Sequence, residues 1–68
     1  MLELWRAKLI AGGKVHLEDC DSREAGKLWA IRKLAEFGHD GAVDWLDRDQ
    51  SSVAVPAPGL EVHITVRS

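Results

Sequence analysis

The sequence predicts an α+β fold in which one helix covers a four-stranded sheet. Two extended segments flank a pair of glycines, a helical segment follows them, and the last residues alternate strictly between apolar and polar. Hydrophobic residues make up 46% of the chain and charged residues 29%, which is typical of a globular protein. A length of 68 residues leaves room for one small domain, which we assign to residues 1–68.

The first two strands form a hairpin, because Gly12 and Gly13 supply the positive φ that a tight turn needs. A three-residue loop, Ala11 to Gly13, would place Leu9 opposite Val15 and keep apolar and charged side chains on separate faces. A two-residue loop would mix the two faces. The pattern therefore favours the three-residue loop.

The helix is predicted over residues 22–37. Either Asp21 or Ser22 is suited to begin it, and Gly38 is suited to end it. At about 100° per residue, one apolar stripe is expected to pack on the sheet. Its members are Leu28, Ile31, Leu34, Ala35 and Gly38. Trp29 lies about 100° from Leu28 and is expected at the edge of this stripe or beyond it.

The segment after the helix is harder to interpret. Residues 42–47 fit either a short helix capped by Asp40 or a strand, and the short helix is favoured. Residues 47–52 are interpreted as a polar loop, and residues 53–55 as a short strand at the edge of the sheet. A Pro-Gly turn then leads into the alternating strand of residues 60–67, expected to be central or well paired. The predicted order is ββαββ, with the last strand beside the first as one arrangement consistent with it.

Charge and composition exclude several classes of protein. The net charge of −2 disfavours a nucleic-acid binder that relies on bulk positive charge. Residues 1–38 carry seven basic and six acidic groups, whereas residues 39–68 carry two and five. No apolar run is long enough to span a bilayer, and no signal peptide is recognisable. The single cysteine, Cys20, rules out an internal disulfide and indicates the cytoplasm.

No group of residues has the pattern of a catalytic, cofactor or metal site. Cys20 is surrounded by carboxylates, which should raise the pKa of its thiol, and no histidine is placed to activate it. The acidic segment containing Asp44, Asp47 and Asp49 lacks the pattern of a calcium loop. We therefore expect a protein that is not an enzyme and that binds no cofactor or metal.

Three tryptophans in so short a chain favour protein binding instead. The predicted partner-binding residues are Trp29, Arg32, Glu36, Asp44, Asp47 and Asp49. The sequence thus predicts a small non-catalytic protein-interaction module. It would act as an adaptor or inhibitor of the kind that phages and mobile elements encode, for defence evasion or host takeover. The sequence also allows a homodimer whose interface contains Trp29 or the strand at residues 53–55.

An alternative function comes from a resemblance that covers about half of the chain. The strand Trp5-Arg6-Ala7-Lys8-Leu9, the strand at residues 13–17, the helix start at residues 21–25 and Trp29 resemble AP2-type DNA-binding domains and the arm-binding domains of phage-type integrases. In that family a sheet lies in the major groove of DNA. The resemblance implies a DNA-binding accessory module with Trp5, Arg6, Lys8 and Lys14 as contacts.

Overall fold

A computed structural model describes residues 4–67, which form one helix and a five-stranded antiparallel sheet. The strands are β1 (Leu4–Ala11), β2 (Lys14–Cys20), β3 (Leu46–Arg48), β4 (Ser51–Ala57) and β5 (Leu60–Arg67), and the helix is α1 (Arg23–Glu36). The order in the sheet is β2-β1-β5-β4-β3. Because β2 and β3 are the two edges, the connection that contains α1 crosses the whole sheet and covers one face of it.

The predicted α+β class is confirmed, but the predicted number of strands is wrong. The additional strand is β3, which lies where a short helix and a polar loop were expected. Leu46 pairs with Val53, and Asp47 pairs with Ser52. Three exposed residues show no hydrophobic period, so the sequence left residues 42–47 open between a strand and the favoured short helix.

The strand predicted most strongly, β5, is the centre of the sheet. It pairs with β1 on one side and with β4 on the other, and Val62 and Ile64 are fully buried. The last strand therefore lies beside the first and runs antiparallel to it. The prediction that residues 53–55 form an edge strand is wrong, because β4 lies between β3 and β5.

The predicted hairpin loop is also wrong. Ala11 pairs with Lys14 and Leu9 with His16, so the turn contains only Gly12 and Gly13, with φ angles of 57° and 82°. The argument for a longer loop assumed that β2 buries one of its faces. As an edge strand it is exposed along most of its length, so its apolar and charged side chains need not be sorted.

The ends of α1 follow their local signals. The Ser22 hydroxyl accepts a hydrogen bond from the Ala25 backbone N–H at 3.1 Å, so Ser22 rather than Asp21 is the cap. At the other end Gly38 has a φ of 90°, and the His39 N–H donates to the Leu34 carbonyl at 2.9 Å. Within residues 4–67 no helix has both the length and the apolar character needed to cross a membrane.

Of the predicted apolar stripe of α1, only Leu34 packs on the sheet. Leu28 and Ile31 are 62% and 45% exposed, and the buried residues of the helix are Gly26, Trp29, Ala30 and Leu34. A Cβ at position 26 would lie 2.9 Å from Ile64 Cγ2. Gly26 and Ala30 on this side let the helix approach β5 closely, with Trp29 and Leu34 packed beside them, and Leu28 and Ile31 are directed outward.

We predict that Gly26→Ala destabilises the fold, although alanine is the better helix former. The added methyl group would lie 2.9 Å from Ile64 Cγ2, the methyl group that branches from Cβ, and 3.4 Å from Ile64 Cδ1. Overpacking costs about 1–3 kcal/mol and the gain in helix propensity is about 1 kcal/mol, so a net loss of up to about 2 kcal/mol is expected in chemical denaturation.

Gly26→Ala combined with Ile64→Leu is the matched control, because leucine has no branch at Cβ. The double variant should recover part of the loss. A Gly26→Ala variant as stable as the wild type would show that the helix does not depend on this close approach.

Candidate binding surface

The side of α1 that faces away from the sheet combines apolar and charged residues. We call it the outer face of α1, and it consists of Glu24, Leu28, Ile31, Arg32, Ala35 and Glu36, all of which are exposed. At about 100° per residue these six positions fall on one side of the helix, opposite Gly26 and Ala30. Leu28 and Ile31 make no contribution to the buried core.

Two of the predicted partner-binding residues, Arg32 and Glu36, lie on this face. The Lys33 Nζ is 3.7 Å from a Glu36 carboxylate oxygen, which orients that side chain along the helix. Arg32 also borders a shallow depression of about 270 Å³ between the end of β2 and α1, where Cys20 and Trp29 are exposed at their edges. Arg32 and Glu36 therefore lie beside exposed apolar side chains, which was not predicted.

Trp29 itself belongs to the core. Its side chain is only 9% exposed and packs in the same cluster as Trp5 and Ile64. The expectation that it lies at the edge of the buried stripe was wrong because its angle was measured from Leu28, which faces outward. The exposed edge of Trp29 lines the depression near Arg32 and Cys20.

Asp47 holds α1 to the edge of the sheet. Its carboxylate accepts a hydrogen bond from the buried Ser52 hydroxyl at 2.6 Å, and Lys27 Nζ lies 2.9 Å from the same oxygen. The Ser52 hydrogen bond is the main reason why the pKa of Asp47 is lowered, with Lys27 the next cause. Arg23 lies further away, at 4.0 Å. These groups are internal partners of one another.

The other two predicted aspartates lie outside this cluster. Asp44 is exposed in the irregular segment before β3. Asp49 lies in the β3–β4 turn, and its backbone carbonyl accepts a 2.7 Å hydrogen bond from Arg23. Across residues 4–67 no three His, Cys, Asp or Glu side chains are grouped so that they could hold a metal ion.

The four residues of the alternative DNA site do not share one surface. Trp5 is buried on the helix side of the sheet, with the Arg23 guanidinium 4.8 Å from its ring centroid. Lys14 pairs with the inward-facing Ala11 and so belongs to the same side. Arg6 and Lys8 alternate with Trp5 along β1 and lie on the opposite side.

That opposite side of the sheet is covered by no part of residues 4–67, and we call it the open face. Its side chains include Arg6, Lys8, Ile10, Val15, Leu17, Asp19, Leu46, Arg48, Val53, Glu61, His63, Thr65 and Arg67. Asp19 accepts hydrogen bonds from Arg6 at 3.3 Å and from Arg67 at 3.0 Å. Sequence reasoning missed Arg48 and Arg67 because only the strand order brings them to this face.

Cys20 ends β2 and is buried against the core. Burial is the main cause that raises the pKa of its thiol, and the carboxylates of Glu18, Asp19 and Asp21 raise it further. This agrees with the expectation from its acidic neighbours. At neutral pH the group is held as a thiol, which is a poor nucleophile.

We predict that Asp47→Asn lowers the thermal midpoint at neutral pH. The pKa of Asp47 is lower in the folded than in the unfolded protein, so its stabilisation is complete above the unfolded value of about 3.9. It is lost as the pH falls through the folded value. The difference between Asp47→Asn and the wild type should therefore shrink toward zero in strong acid.

Asp44→Asn removes the same charge from an exposed position and is the matched control. Its thermal midpoint should follow that of the wild type at each pH. An equal effect of the two substitutions would show that net charge, rather than the contacts of Asp47, sets the acid sensitivity.

Comparison of the chain with protein-family models, with curated proteins and with solved structures finds no match. The resemblance to AP2-type domains has no support from these comparisons. The function is therefore argued from the surfaces of this chain.

Proposed function

We propose that this protein is a small non-catalytic protein-interaction module, an adaptor or inhibitor that binds its partner through the outer face of α1. The observation that carries the proposal is the outward position of Leu28 and Ile31, with exposed fractions of 62% and 45%. Neither side chain is needed by the core, which is complete without them. A patch that costs solubility and adds nothing to folding is typical of an interaction site.

The spacing of the patch suits a particular kind of partner. Leu28, Ile31 and Ala35 recur at i, i+3 and i+7, which are the positions that an amphipathic helix inserts into an apolar groove. Burying a leucine or isoleucine side chain contributes about 1.5–3 kcal/mol, so two such anchors support specific binding. We infer a partner with an apolar groove.

Charges surround the anchors and would set the orientation of binding. Glu24 precedes Leu28 by one turn, and Arg32 follows it by one turn. A partner groove would therefore carry a basic group near one end of the patch and an acidic group near the other. Charged rims of this kind determine specificity and association rate more than affinity.

The chemistry of Cys20 also favours binding over catalysis. Burial and three neighbouring carboxylates raise the pKa of this thiol. A nucleophilic cysteine needs the opposite environment, in which nearby positive charge stabilises the thiolate.

We predict that Leu28→Asp strongly weakens partner binding and leaves the fold intact. A photoreactive amino acid at position 31 would crosslink the partner in the source cell, and the purified partner would then be titrated with each variant. Loss of a central apolar anchor costs about 2 kcal/mol or more, so affinity should fall roughly thirtyfold or further. Stability should change by no more than about 0.5 kcal/mol, because the side chain is exposed.

Val55→Asp is the matched control, since Val55 is exposed on β4 and lies away from α1. It should leave affinity unchanged, and a photoreactive residue at position 55 should not capture the same partner. Unchanged affinity in Leu28→Asp would exclude the outer face of α1 as the interaction site.

A second candidate function, DNA binding, is favoured by the charge of the open face. Arg6, Lys8, Arg48 and Arg67 lie there against two carboxylates, those of Asp19 and Glu61. The face is thus more positive than the chain as a whole, which has a net charge of −2. The proposed contacts are now Arg6 and Lys8 with Arg48, since Trp5 and Lys14 lie on the other side.

If the open face binds duplex DNA, Arg6→Ala with Lys8→Ala should weaken binding uniformly across sequences. For every phosphate that is no longer neutralised, the slope of log affinity against log salt concentration should decrease in magnitude by about 1. Fluorescence anisotropy with a duplex at several salt concentrations measures both effects. Lys33→Ala with Arg32→Ala on the helix removes equal charge and is the control, and absence of binding at low salt would exclude this function.

A further inference from the structure

The edge formed by β2 is long and uncovered. β2 runs for seven residues, pairs with β1 without interruption, and has no strand of residues 4–67 on its other side. The opposite edge, β3, is only three residues long. Proteins commonly protect a sheet edge by shortening it, bulging it, or placing proline or charged side chains in it. β3 is protected by its length, whereas β2 is long, has neither bulge nor proline, and carries charges of both signs, at Lys14 and Glu18.

The turn fixes which backbone groups of β2 are free. In a hairpin with a two-residue turn the closing pair, here Ala11 and Lys14, is hydrogen-bonded, and such pairs alternate with non-bonded pairs along the ladder. Lys14, His16 and Glu18 therefore direct their N–H and C=O groups toward β1. Val15, Leu17 and Asp19 direct theirs outward, where another strand can pair with them.

Two of these residues also carry exposed apolar side chains. Val15 is 54% exposed and Leu17 is 56% exposed, and both lie on the open face beside the outward-directed backbone groups. An edge that offers backbone hydrogen bonds and apolar side chains together is a template for strand addition.

We propose that the β2 edge pairs antiparallel with the β2 edge of a second copy of this chain, about a two-fold axis at His16. In this register Val15 faces Leu17 of the second copy, and the reverse pair repeats the contact. Both pairs involve residues with outward-directed backbone groups, as the hydrogen-bond alternation requires. The two sheets join into one continuous sheet.

The charges on the helix side of β2 fit the same register. Lys14 faces Glu18 of the second copy, and both side chains are exposed in the single chain. The symmetry makes this ion pair twice. A register centred on Leu17 would instead place Val15 opposite Asp19, whose carboxylate is already engaged by Arg6 and Arg67.

His16 and Phe37 lie at the proposed two-fold axis, and their aromatic contact fits the same register. The ring centroids of His16 and Phe37 are 5.3 Å apart, and Phe37 is exposed on the helix side of the edge. With His16 on the two-fold axis, both copies bring an exposed Phe37 to the same place, so pairing would cover apolar surface above the sheet as well as on the open face.

Sedimentation velocity over a range of protein concentrations tests the proposal, with mass doubling from 7.5 kDa as the expected result. Leu17→Pro should give a monomer, because it removes an outward-directed N–H that the chain itself does not use. Leu17→Lys should also give a monomer, because a charged side chain would replace the apolar side chain that faces Val15 of the second copy. Far-UV circular dichroism should show that both variants remain folded, and a wild type that stays monomeric throughout would overturn the proposal.

A charge exchange tests the register. Lys14→Glu and Glu18→Lys should each weaken the dimer, on the order of fivefold for two exposed pairs, and the double variant should restore it. With the axis at Leu17, Lys14 would face Cys20 and Glu18 would face His16, so no restoration would follow. That result would overturn the proposed register.

The dimer is independent of the binding function proposed for α1. Leu28→Asp should leave the dimer intact, and Leu17→Pro should leave each copy able to bind the partner. A dimer lost in Leu28→Asp and retained in Leu17→Pro would instead assign self-association to the helix and overturn the proposal for β2.

Discussion

The close packing of α1 on β5 decides which helix residues of this protein face the solvent. Gly26 and Ala30 bring the helix backbone so near to the sheet that a methyl group at position 26 would overlap Ile64. With small residues on the inner side, the larger side chains Leu28 and Ile31 are left on the outer side.

The polar contacts at the first half of α1 hold this arrangement in place. Lys27 bridges to Asp47 on β3 and lies 5.3 Å from the Trp45 ring, while Arg23 packs over Trp5. These contacts join the first half of α1 to β3, the edge strand that follows it. Ion pairs fix this end of the helix, and the buried Leu34 fixes the other end. The outer face of α1 therefore has one orientation, so the proposed binding would cost little conformational entropy.

Sequence reasoning succeeded where the signal was local and failed where it depended on distant neighbours. The alternation of β5, the Ser22 cap and the Gly38 termination are properties of adjacent residues. The orientation of α1 is not, because two apolar stripes compete and only packing decides between them. Gly26, Ala30 and Leu34, spaced at i, i+4 and i+8, form the second stripe, and this is the stripe that packs inward. Arg32 and Glu36 are exposed on the outer face of α1, as are Leu28 and Ile31, which the sequence pattern assigned to the core. The open β2 edge could not be inferred without the strand order.

The two proposed interfaces are geometrically compatible, and together they give a reason for so small a chain to self-associate. In the antiparallel β2 pairing, Lys14 of one copy and Glu18 of the other lie on the same side of the joined sheet, so both helices also lie on that side. The outer faces of the two α1 helices would then point in one direction. A partner with two grooves, or two neighbouring partners, would meet both at once, and the second contact would form at a high effective concentration. Weak binding by a single helix would thereby become strong binding by the dimer.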